Sequence, residues 1–133
     1  MDVLGNIKEA IRLLDENANA VDELNERRSL ADRKIDFWLH TMELTTVPVT
    51  EAYKIIKEIK KQRILRRECK NALEIMKVFS DNEGKMCNIN NRKLLLAQLY
   101  KTAHRHENAK YNYDAYTEEE LIEIFGYNPK IKE

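Results

Sequence analysis

The chain has 133 residues, enough for one domain or one elongated protomer, and 35% of them are charged, with 23 basic against 23 acidic side chains. Three glycines, two prolines and two cysteines argue against a turn-rich β architecture and against a disulfide scaffold. No apolar run approaches the ~20 residues of a membrane span, and the opening MDVLGNIKEA lacks the cationic start and apolar block of a signal peptide, so the chain reads as cytoplasmic.

A first helix is predicted from near Asp2 to about Leu44. Its stripe is Ile7, Ile11, Leu14, Ala18, Val21, Leu24, then Arg28, Ala31, Ile35, Trp38 and Met42. The steps alternate between four and three, except for two consecutive threes across Ala18, Val21 and Leu24. That is a stammer, beside the poor helix formers Asn17 and Asn19. Either one continuous or bent helix of roughly 60 Å results, or a break at residues 16–20; the continuous form is the preferred reading.

TTVPV, residues 45–49, stops this helix through Pro48 and its β-branched neighbours. Thr50 is the expected cap of the next helix, with Glu51 in the first turn; alternatively Pro48 occupies that turn. The second helix reaches about Ser80, with Ala52, Ile55, Ile56, Ile59, Gln62, Arg66, Cys69, Leu73, Met76 and Phe79 inward. So short a connection makes the two helices antiparallel, a hairpin over residues 1–80. Folding at residue 47 sets Met42 beside Ala52, Ile35 beside Ile59 and Arg28 beside Arg66.

Residues 81–89, with Gly84 and several Asn and Asp, form a loop. A third helix is expected from Asn90 to Glu107 with Leu95, Leu99 and Ala103 inward. The stretch NAKYNYDAY lacks helical periodicity, and a last short helix is capped by Thr117 with Glu120 and closed by Gly126. The fold class is therefore all-α, a single domain over residues 1–133: a long antiparallel helical hairpin, a third helix and a short C-terminal helix within residues 90–133. One chain cannot cover every side of so long a stripe, so a dimeric helical bundle, a coiled-coil-like homo-oligomer, is expected.

The strongest functional signal is KEIKKQRILRRECK, residues 57–70. Lys57, Lys60, Lys61, Arg63, Arg66, Arg67 and Lys70 face only Glu58 and Glu68, a formal charge of +5 inside a neutral chain. Such a local field calls for an acidic partner, and guanidinium groups at this density suit phosphate or carboxylate. A solvated helix face is the bland alternative. The centre of the hairpin is polar where it should be apolar: Arg28 and Asp32 meet Gln62 and Arg66. They form either a structural layer, with Asp32 on Arg66 and Glu68 on Arg28, or an anion site of Arg28, Arg63 and Arg66, or a solvated patch.

Other chemistry finds little support. His104 and His106 are two apart and point about 200° from one another on a helix, so they do not share a metal ion. No Gly-rich phosphate loop, nucleophile motif or cofactor motif is present, and no catalytic residue, metal or cofactor is expected. Cys69 reads as core rather than as a disulfide partner of Cys87. Tyr111 and Tyr113, alternating in an extended segment, either strap onto the hairpin or face a partner.

ERRSLADRKIDFWLH, KKQRILRRECKNALE and HENAKYNYDAY, covering roughly residues 26–116, resemble small helical accessory proteins of phages and prophages of Gram-positive bacteria. The resemblance implies no catalytic residue. It implies a protein that acts inside a bacterial host cell by binding a host factor or a defence component. The expected function is non-enzymatic: an inhibitor-type module that captures an acidic protein surface through the basic helix, Arg28, Tyr111 and Tyr113. The alternatives are nucleic-acid binding, or sequestration of a small anionic ligand such as a nucleotide.

Overall fold

The computed structural model describes residues 1–109 and 115–127. Helix α1 spans Val3–Leu44, α2 spans Val49–Asn82, a short 3-10 helix spans Glu83–Cys87, α3 spans Ile89–Glu107 and α4 spans Glu118–Phe125. No strand occurs among the described residues. The all-α hairpin expected from periodicity is present, with α1 packed along α2. Helix α1 runs unbroken through the stammer, so Asn17 and Asn19 do not end it. Asp2 caps it: its carboxylate accepts from the Gly5 N–H at 2.9 Å, satisfying one of the first turn's orphan donors.

The start of α2 differs from expectation. Pro48, not Thr50, holds the cap position, with φ −58° and ψ 149° and no side-chain cap bond. Proline has no N–H to satisfy and its fixed φ delivers the chain into the first turn, which places Thr50 inside the helix. The expected loop at 81–89 is shorter than its composition suggests: α2 continues to Asn82 and the 3-10 helix fills most of the rest.

The core is a thin line along the helix contacts. Ala31 and Ile35 of α1 meet Ile55, Gln62 and Cys69 of α2; Leu95 and Thr102 of α3 and Leu121 of α4 complete the buried set. Each buried Ile or Leu contributes about 1.5–3 kcal/mol over an exposed one. Thr102 satisfies its hydroxyl on the Gln98 carbonyl at 3.0 Å. Gln62 is the polar member: it is 4% exposed, donates from Nε2 to Glu58 at 2.9 Å, and leaves Oε1 without a partner. Cys69 is buried as expected, and both cysteines are free.

The polar centre is not a sealed layer. Arg66 Nε does donate to Asp32, but the two side chains are 38% and 46% exposed. Arg28 is half-buried, Glu68 is exposed, and no Arg28–Glu68 pair forms among the described residues. Both helices present this pair at the edge of their contact, where water reaches it.

Helix α3 turns back along the C-terminal half of α2. Glu74 of α2 holds it there, accepting from Arg105 and from His106 Nε2, the latter at 2.8 Å. Helix α4 carries the expected capping box: Glu120 N–H to Thr117 Oγ1 at 3.2 Å, and Thr117 N–H to Glu120 Oε1 at 3.4 Å. Gly126 ends it in the left-handed region at φ 77°, where a Cβ would strain the backbone.

The N-terminal part of α1 forms an arm. Leu14, Asp15, Asn17 and Ala18 line an open groove together with Ile75, Met76 and Phe79, near the end of α2. The residues before Leu14 therefore run past that end, and Val3, Leu4, Ile7, Ile11 and Leu13 are all exposed.

Candidate partner-binding surface

Helix α2 sorts the seven cations of residues 57–70 by angle, since successive side chains advance by about 100°. Arg66 is turned toward α1 and engaged with Asp32. Arg63, Arg67 and Lys70 turn toward α3. There, with Arg66, Glu74 and Arg105, they line a notch of about 330 Å³. Lys57, Lys60 and Lys61 lie on the remaining exposed surface, and Lys57 Nζ sits 4.9 Å above the centre of the Tyr53 ring. Sequence reasoning named all seven as partner-binding while placing Arg66 inward beside Asp32; the structure divides them among that ion pair, a notch and an outer ridge. Arg28 lies on α1 and is not among the notch-lining residues.

The outer ridge is not purely charged. Tyr53, Ile56 and Ile64 are 60%, 59% and 43% exposed among the lysines. Ile56, expected inward beside Ile55, is corrected here: Ile55 occupies the buried seam, and one residue further on the side chain has rotated out of it. Tyr53, Ile56, Lys60, Ile64 and Arg67 follow steps of three, four, four and three, a second helical stripe opposite the core one. The same spacing test that located the core would have revealed it. The notch also gains Arg105 and His106, which no local motif links to residues 63–70; only the packing of α3 on α2 brings them there.

Tyr111 and Tyr113 lie outside the described residues. Tyr116 and Tyr127 are exposed. His104 and His106 diverge as their spacing requires: His106 is half-buried on Glu74, while His104 is exposed near Glu107 and Asn108. Among the described residues no group of three or more His, Cys, Asp or Glu side chains is placed to hold a metal. No described helix is long and apolar enough to cross a membrane.

An apolar groove of about 540 Å³ opens where the arm of α1 leaves α2, lined by Leu14, Ala18, Met76, Phe79, Met86 and Leu99. Within the arm, Arg12 bridges Glu9 and Glu16, with bonds of 2.7–2.9 Å. The Arg12 hydrogen bond holds the Glu9 carboxyl below its ordinary value, and the same bond raises Arg12. No protein-family model, curated protein or solved structure matches the chain.

Proposed function

We propose that this is a non-enzymatic binding protein that captures an acidic protein surface on the outer ridge of α2. The observation that carries the reading is the second stripe: exposed Tyr53, Ile56 and Ile64 set among Lys57, Lys60, Lys61 and Arg67. Charge alone recruits any polyanion, but a partner that also covers three large apolar side chains gains desolvation that a phosphate backbone does not offer. Tyr and Arg are enriched at protein-binding centres, which suits Tyr53 and Arg67, while the three lysines fit the charged rim of such a site. In this reading the partner is an acidic host or defence protein met in the bacterial cytoplasm, as a phage or prophage accessory protein would require.

The reading includes a homodimer. The arm of α1, with Leu4, Ile7 and Ile11 exposed, and the groove at its root are two apolar surfaces that a second copy would cover.

Charge reversal of Lys57, Lys60 and Lys61 to Glu tests the ridge. Helix content should persist, because Glu and Lys have similar helix propensity. Capture of the partner should be lost, and the Ile56→Ala/Ile64→Ala variant should weaken it at unchanged charge. The second reading, nucleic-acid binding, is favoured if capture disappears on nuclease treatment and if affinity falls with salt at a log–log slope near −0.9 per phosphate contact. Retention of partner binding by both variants would reject the ridge.

A further inference from the structure

We propose that the notch between α2 and α3 is a phosphate site for a small molecule carrying a phosphomonoester or pyrophosphate group. The site goes beyond the ridge described above: it shares Arg67 with it, but α3 contributes Arg105 and His106 to its lining. Arg63, Arg66, Arg67 and Lys70 enter from α2 and Arg105 from α3, against Glu74 as the lining carboxylate. One guanidinium group is held from outside the notch: Asp32, which is not among the lining residues, engages Arg66, so that group need not be ordered when an anion arrives.

Glu74 divides its two oxygens between Arg105 and His106, the latter at 2.8 Å, so an incoming phosphate competes with this carboxylate for both donors. The volume, about 330 Å³, is at the lower end of small-ligand sites. A phosphomonoester brings two charges and three acceptor oxygens into that space, where a single carboxylate brings one charge and two oxygens. A concave notch of this size admits a phosphate group but not the convex flank of a duplex. Planar guanidinium forks, rather than lysines alone, dominate its lining, which suits bidentate phosphate contact.

Titration calorimetry of the full chain with sodium pyrophosphate at low salt tests the site, with phosphorus NMR of the same samples. Saturable binding of one pyrophosphate per chain is expected. Arg63→Ala, a rim substitution with no packing role, should weaken it about tenfold, the loss of one charge-assisted contact. Arg105→Ala should do the same, and Arg105→Lys should restore part of the loss. Glu74→Gln should tighten binding severalfold, because it removes the competing carboxylate; a merely structural Glu74 would give no gain. Absence of saturable binding by the wild-type chain, or binding by Arg63→Ala and Arg105→Ala as tight as that of the wild-type chain, would overturn the proposal. Tighter binding of a Glu-rich peptide or of a single-stranded oligonucleotide than of pyrophosphate would also overturn it. The ridge and the notch fail separately. The Lys57/Lys60/Lys61 reversal lies outside the notch, and at about 0.15 M salt, where charges more than about 8 Å apart are largely screened, it should weaken pyrophosphate binding less than Arg63→Ala does. Partner capture without pyrophosphate binding removes the notch and leaves the ridge. Pyrophosphate binding with capture untouched by the reversal removes the ridge and leaves the notch.

Discussion

Replacing Gln62 with Met should stabilise the protein. Gln62 is 4% exposed in the middle of the hairpin seam, and its Oε1 has no hydrogen-bond partner. An orphaned buried acceptor costs about 1–3 kcal/mol in lost hydration. Its Nε2 bond to Glu58 returns part of that, but Glu58 is only half-buried and recovers water when the bond is removed. Met has the same unbranched length, so it fills the site without a cavity and adds apolar burial between Ile55 and Cys69. The net change expected is a gain of about 1–2 kcal/mol. Urea unfolding at fixed protein concentration reads it as a higher midpoint at unchanged slope, with a melting temperature higher by roughly 3–8 °C. Gln62→Ala, which removes the orphan but leaves a void, should gain less or lose. A loss of more than about 1 kcal/mol in Gln62→Met would refute the reasoning, because Oε1 would then be doing useful bonding in solution.

Asp32→Ala should cost only about 0.2–1 kcal/mol, since its pair with Arg66 is half-exposed; a loss of several kcal/mol in urea unfolding would place the pair in a dry core instead. Glu9 should titrate below its ordinary value of 4.5 by carbon NMR, and Arg12→Ala should return it there. A folded-state pKa below the unfolded one means that Glu9's contribution is present above the ordinary carboxylate range and is lost as pH falls through the lowered value. On the arm of α1, Ile7→Glu with Ile11→Glu should convert a micromolar dimer into a monomer in sedimentation; a wild-type chain that is monomeric throughout that range contradicts the proposed dimer.

Much of the fold was legible because α1 and α2 are long and carry a sustained stripe. Ala31, Ile35, Ile55 and Cys69 follow from spacing alone, and Thr117, Glu120 and Gly126 announce the ends of α4 by their local chemistry. Three things were not legible. Ile56 beside Ile55 reads as apolar in either position, and only the geometry of the seam decides which one is buried. The degree of exposure at Asp32 and Arg66 depends on how closely two helices approach, which residue types do not state. Arg105 and His106 join the notch through Glu74, a contact between residues 31 and 32 positions apart in the chain that no local pattern marks. The start of α2 was misplaced because Thr50 and Pro48 are both good first-turn signals and proline, with no N–H to leave unpaired, takes the outer position.

The central claim is that the outer stripe of α2 is the contact surface for a protein partner. The most direct measurement places a photoreactive residue at Ile64, on that stripe, and separately at Tyr100, an exposed site on α3, and irradiates cells that express each variant. A single protein species cross-linked from position 64, weak or absent from position 100, and lost when Lys57, Lys60 and Lys61 are reversed to Glu, is the predicted result. Equal cross-linking from both positions, or cross-linking from position 64 that survives the charge reversal, would contradict it.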